Sequence, residues 1–247
     1  MYSLTSDPFM MIIFLLLILE NIGSYISNPS ALLGLILSIP GLLVAVTFHE
    51  YAHAFVADKL GDDTPRRQGR LTLNPLAHLD PYGTFLMIFA GFGWGKPVEI
   101  NPVNFNRKVS IKGGSALVAI AGPLMNFILA IICAVVYGLL FKTSFVYSTV
   151  GGIVMDVISY TMSMNVGLGV FNLIPLPPLD GSKVLLAILP TRAQEWYENN
   201  QRILYIVFLI IWITPIASQI VTPLITTIDH WLVKLIEVIS GKYIWLN

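Results

Sequence analysis

Apolar runs long enough to cross a bilayer alternate, along this chain, with short connectors rich in proline, glycine and charge. Residues 8–27 form the first run, interrupted only by Glu20 and Asn21 near one end, where a carboxylate can snorkel to the interface. The second, 31–58, carries Gly34, Pro40 and Gly41, which either bend it or let a neighbouring helix come close. Residues 59–82 are polar and turn-rich. Within them 70–73 alternate like a short strand and stop at Asn74-Pro75, a turn signal. The next run, 83–95, has only 13 residues, and at about 1.5 Å per residue it cannot cross a core of about 30 Å as a straight helix. Its end, Gly91-Phe92-Gly93-Trp94-Gly95, is broken by glycine, so a re-entrant or interfacial element is expected. Residues 97–100 then read as a second short strand, closed by Asn101-Pro102.

Three more spans are predicted at 114–141, 150–173 and 203–221, the last bent by Pro215 and ended by Pro223. From Ile228 onward, Trp231, Leu232, Leu235 and Ile239 recur at helical spacing with Asp229, His230, Lys234 and Glu237 elsewhere, as in an interfacial amphipathic helix or a sixth span. The pattern predicts an all-α polytopic membrane protein with five or six transmembrane helices, a re-entrant element and short membrane-associated β-strands. One domain over 1–247 is expected, with its motif-bearing core at about 31–190.

Composition agrees: 55% of the residues are apolar, 11% are charged and the mean hydropathy is +0.76. The net charge of zero, with no basic tract, argues against a nucleic-acid partner. The single cysteine, Cys133, allows neither an internal disulfide nor a cysteine-based zinc cluster and is read as a packing residue. No Lys or Arg precedes Lys59, so the first run is expected to be a retained helix rather than a signal peptide. If 83–95 turns back, Lys59, Arg66, Arg67, Arg70, Lys96, Arg107, Lys108 and Lys112 share one side with the later Lys183, Arg192 and Arg202, and Lys142 stands opposite. The positive-inside rule makes that shared side cytoplasmic, together with the amino terminus. The expected location is the plasma membrane, with the chemistry toward the cytoplasm.

That chemistry centres on His49-Glu50-Tyr51-Ala52-His53, in the last third of the second span. On a helix, positions i and i+4 lie one turn apart on one face, so two imidazoles can reach one metal ion while Glu50 projects beside them toward a water. Ionisable groups at such depth are costly and usually functional. Two other features are open on chemistry alone. Asn126, after Gly122-Pro123, either serves the site or joins helices through its amide. Asp180, held on a stiff segment by Pro175, Pro177 and Pro178, is either part of a site or a turn and cap residue.

Four motifs occur in an order that resembles the site-2 protease family of intramembrane zinc metalloproteases: His49-Glu50-x-x-His53; the run 69–83, GRLTLNPLAHLDPYG; Ala121-Gly-Pro-x-x-Asn-Phe127; and Asn172-x-x-Pro-x-Pro-x-x-Asp-Gly181. The likeness covers roughly 40–190. It implies that His49, His53 and Asp180 bind zinc (Zn2+), that Glu50 activates water as general base, and that Asn126 handles substrate or supports the transition state near the metal. Three protein ligands and an open position suit catalytic zinc. His78 is the rival third ligand, and the preferred reading gives it a supporting or packing role behind the site. No insertion is long enough for a PDZ or CBS domain, so a compact form is expected. The function implied is hydrolysis of peptide bonds in or near transmembrane segments of membrane-protein substrates within the lipid bilayer. A metal carrier would use the same ligands without needing Glu50 as a base, and a catalytically silent scaffold would not need the complete set. Residues 70–73 or 97–100 are further expected to offer a sheet edge to an unwound substrate.

Overall fold

The computed structural model describes residues 8–90 and 93–241. Helix α1 (Pro8–Ser27) reproduces the first predicted run, and the side chain of Glu20 lies outside the described residues. After one residue the chain enters α2 (Pro29–Lys59), where Asn28 accepts hydrogen bonds from the amides of Ser30 and Ala31 and Pro29 supplies a first position that needs no donor. Helices α5 (Ile111–Phe141) and α6 (Thr149–Asn172) are likewise started by serines, Ser110 bonding the Gly113 amide and Ser148 the Gly151 amide. These connectors are turns because Asn and Ser side chains outcompete water for the open amides of a helix start.

Between α2 and α5 lie a single turn, α3 (Thr64–Arg67), and the ten-residue α4 (Pro81–Ala90). Beyond α6 come α7 (Asp180–Ile188), α8 (Thr191–Asn199), α9 (Gln201–Ile213) and α10 (Ile216–Ser240). Among the described residues three helices, α2, α5 and α6, are long and apolar enough to cross a membrane, and α9 with α10, bent by 75° between them, make a fourth if the pair is one span. Pro223 does not end this segment as its sequence suggested. It lies inside α10, where the hydroxyl of Thr227 bonds the Pro223 carbonyl at 2.7 Å. The amphipathic stretch from Ile228 is therefore the second half of α10, and its Leu232 and Ile236 pack with Ala130 and Ala134 of α5 and Met162, Val166 and Val170 of α6. Small alanines on α5 let these helices approach closely.

The re-entrant expectation has a structural counterpart. Leu79 and Gly95, on either side of α4, pair as an isolated antiparallel bridge, and the Lys96 amide bonds the His78 carbonyl at 2.8 Å. The chain thus goes out and returns to the same place; Gly91 and Phe92, in its glycine-broken end, lie outside the described residues. The two predicted strands are not present among the described residues. The reason lies in who takes the backbone groups: the Arg70 guanidinium bonds the Lys96 carbonyl, and the Val98 amide donates to Glu50 Oε2 at 3.0 Å, while Pro97 has no donor at all. Side chains, not strand pairing, hold Arg70 and 96–98 in place, so neither segment offers the sheet edge that was expected.

One aspartate of the polar 59–82 stretch is turned inward while its neighbour Asp63 stays exposed. Asp62 is fully buried and accepts from the Thr64 amide and hydroxyl, the Asn101 amide and Asn104 Nδ2. It clasps the 101–104 segment against the end of α2, alongside Phe105, which packs on Ala57 and Val118.

Candidate metal centre

Helix α2 brings His49 and His53 to one face, one turn apart, with ring centroids 4.6 Å apart in an edge-on arrangement. Small or β-branched neighbours, Ala45, Val46, Ala52 and Ala57, are buried around them, so this end of α2 is enclosed. Asp180 arrives from the other half of the chain. The prolines after α6 forbid a continuous helix there, and Tyr197 of α8 braces the segment by donating to the Pro175 carbonyl at 3.0 Å. Asp180 then opens α7, where a carboxylate is favoured by the helix dipole.

The result is a triangle of ligand-type atoms. His49 Nε2 and His53 Nε2 lie 3.0 Å apart, and Asp180 Oδ2 is 3.1 Å from the first and 3.0 Å from the second. All three residues are buried. Each imidazole has its other nitrogen engaged: His49 Nδ1 faces Asn126 Oδ1 at 2.6 Å, and His53 Nδ1 faces the Val118 carbonyl at 2.7 Å. Carbonyl oxygens accept only, so both Nδ1 atoms carry hydrogen, and a neutral ring then presents a bare Nε2. Two lone pairs and a carboxylate oxygen pointing at one another within hydrogen-bond distance suit a shared cation, and His-His-Asp is a donor set appropriate to zinc.

Glu50 lies beside this triangle rather than in it. Its Oε2 accepts from Val98, Arg70 Nη2 stands 3.8 Å away, and the side chain is 14% exposed. Arg70 itself is almost wholly buried. His78 is not among the clustered ligands: its Nε2 donates to the Thr72 carbonyl at 2.7 Å. Burial draws its imidazole below the ordinary histidine value, the Thr72 bond opposes this, and the charge of Arg70 adds to it. Asn126 is fully buried behind His49, with Nδ2 donating to the Ala45 carbonyl at 3.1 Å and to Asn165 Oδ1 at 2.9 Å.

Three participants escaped the sequence reading. Arg70 was legible as a topological charge and as part of the 69–83 motif, but nothing local links it to Glu50. The Val118 carbonyl has no side-chain signature. Asn165 stood out only as a lone amide in the apolar run 161–171, which is itself the signal for a buried polar contact in a spanning helix.

The family model described as Peptidase family M50 matches residues 37–214. Two similar proteins are both named "Putative zinc metalloprotease". YwhC of Bacillus subtilis is 39% identical over 199 residues, covering 80% of this chain and 90% of that one. Rip2 of Mycolicibacterium smegmatis is 29% identical over 187 residues, covering 74% of this chain and 69% of that one. The protein named Zinc metalloprotease MJ0392, of Methanocaldococcus jannaschii, is 31% identical over 179 residues, covering 72% of this chain and 41% of its own. No solved structure matches the chain.

Proposed function

The chain belongs to peptidase family M50, the family of the site-2 proteases, and from that premise we propose that it is an integral-membrane zinc endopeptidase that cuts membrane-protein substrates in or near their transmembrane segments. The observation that carries the reading is the convergence of His49 Nε2, His53 Nε2 and Asp180 Oδ2 within 3.1 Å of one another, inside a bundle of membrane-length helices. These three atoms would hold the ion. When bound, zinc polarises a carbonyl and brings the pKa of water to about 7.

The protein's own groups do the rest. Asn126 Oδ1 and the Val118 carbonyl keep the two rings turned with Nε2 inward. The support that the motif implies for Asn126 is proposed here in that form, through the orientation of His49. Val98 fixes Glu50 by Oε2, which leaves Oε1 to take a proton from the attacking water. As the water oxygen bonds to the scissile carbonyl carbon, that proton moves to Oε1. It then passes to the amide nitrogen as the C–N bond breaks, giving a carboxylic acid and an amine. A transmembrane substrate must first open its helix, because its carbonyls are bonded internally. With Lys59 at the end of α2, Lys112 in the first turn of α5, and Arg66, Arg67, Arg107 and Lys108 between the two helices, the cytoplasmic face of the plasma membrane is the proposed side of action.

The test is reconstitution in lipid vesicles with a single-span substrate. Cleavage in or beside the span, lost on chelation and restored by zinc, is expected; cleavage indifferent to chelation, or confined to a soluble domain, counts against the reading.

A further inference from the structure

Asn165 belongs to none of the motifs, yet it is fully buried in the middle of α6 and touches the metal centre through one intermediary. An amide side chain has a donor end and an acceptor end, so each contact dictates the next. Asn165 Nδ2 donates to the Thr161 carbonyl at 2.8 Å, one turn back on α6. Its acceptor end, Oδ1, must therefore face Asn126, and it receives Asn126 Nδ2 at 2.9 Å. The Ala45 carbonyl of α2 takes the other hydrogen of the same Nδ2 at 3.1 Å. With its donor end fixed by two acceptors, Asn126 presents Oδ1 to His49 Nδ1 at 2.6 Å.

If Asn126 were turned over, its oxygen would meet the Ala45 carbonyl and Asn165 Oδ1, and its NH2 would meet His49 Nδ1. The buried hydrogen bonds to Ala45 and Asn165 would both be lost, each costly in an apolar interior. His49 would also be driven to the other tautomer, with hydrogen on Nε2 where a metal must bind. Two backbone carbonyls that can only accept, Thr161 and Ala45, thus set the polarity of the whole chain of amides.

We propose that Asn165 is a positioning residue for His49: acting through Asn126, it holds the imidazole in the Nδ1–H tautomer and so keeps Nε2 open to the metal. This rests on the reading of His49 as a zinc ligand.

The test uses the full-length protein in detergent, with zinc affinity measured by chelator competition and the His49 tautomer read from 15N shifts of 15N-histidine-labelled, zinc-free protein. Asn165→Leu keeps the volume and removes the acceptor. It is expected to weaken zinc binding about tenfold, the low end for an outer-shell partner, and to mix the tautomers. Asn165→Asp, buried and neutral, can still donate to Thr161 and accept from Asn126, so it should keep the wild-type tautomer and an affinity within about threefold. The double variant Asn126→Leu/Asn165→Leu should bind no more weakly than Asn126→Leu alone, because Asn165 acts only through Asn126. Wild-type affinity in Asn165→Leu, equal weakening by Leu and Asp, or single effects that multiply in the double variant would each overturn the proposal. Should Asn165→Leu not fold, Asn165→Asp carries the test: loss of the Nδ1–H tautomer or of zinc affinity rejects the assignment. A wild-type protein that binds no zinc, or a His53→Ala variant that binds it normally, would instead sink the metal reading itself.

Discussion

Gly122 of α5 and His53 of α2 stand so close that a side chain on the first would occupy the ring of the second. A Cβ at 122 would lie 2.6 Å from His53 Nε2 and from His53 Cε1, and 2.6 Å from His49 Cε1 as well. Real Cβ contacts do not come so near, and the colliding atoms belong to rings already anchored on their far sides by Asn126 and Val118. The glycine before Pro123 is thus required by the approach of α5 to the two imidazoles, in addition to any opening of the helix at the proline.

Gly122→Ala is therefore expected to displace both imidazoles and lower zinc occupancy of the purified protein at least tenfold, while α5 itself, given an alanine in place of glycine, loses no helical propensity. Metal analysis of the folded variant decides this. Full zinc content would show that the rings have room to move.

The two segments that looked like strands are joined by side chains, and this shifts the expected effect of a proline there. Val98→Pro removes the one amide that holds Glu50 Oε2. Hydrogen bonds to charged groups contribute about 1.5–3 kcal/mol, so turnover should fall roughly 10- to 100-fold with zinc content unchanged. Val98→Ala, which keeps the amide, should act like wild type. Equal turnover in both variants would mean that Glu50 is positioned by something else.

Leu79 pairs with Gly95, so the two flanks of α4 are expected on one side of the membrane. In a background lacking Cys133, Leu76→Cys and Val103→Cys, both at well-exposed positions, should react with a membrane-impermeant thiol reagent from the same face. Labelling from opposite faces would contradict the re-entrant path and the charge-based orientation together.

Asp62 gives a stability prediction. Burial alone would raise its carboxyl, but the bonds from Thr64, Asn101 and Asn104 outweigh it and hold the group below the ordinary carboxylate value. A lowered folded-state pKa means the contribution is present above the unfolded value of about 3.9 and is lost as pH falls through the folded one. Asp62→Ala should cost about 2–3 kcal/mol near neutral pH, seen as a lower unfolding midpoint, and the gap from wild type should shrink on strong acidification. A pH-independent gap would point to packing alone.

The long apolar runs made α2, α5 and α6 legible, because a spanning helix needs about 20 consecutive residues and little else matches that pattern. The 70–73 and 97–100 segments misled because alternation signals an extended chain, whereas a ladder also needs free backbone groups, and Arg70 and Glu50 had taken them. Pro223 misled because a helix packed on α5 and α6 tolerates one missing donor. At the site, spacing was enough to pair His49 with His53. The third member of the cluster, Asp180, needed a family motif, since 131 positions separate it from His49. Asn165 needed coordinates, because a lone asparagine says that it has a partner without saying which.

The central claim is that one cluster holds zinc while the neighbouring carboxylate moves the proton, and Glu50→Gln separates the two. The amide keeps the shape and can still accept from Val98, but it cannot serve as a base. With zinc content and cleavage of a single-span substrate measured on one preparation, metal at the wild-type level and cleavage reduced by three orders of magnitude or more are predicted, about 4 kcal/mol of barrier. Cleavage at the wild-type rate with zinc bound would contradict the account.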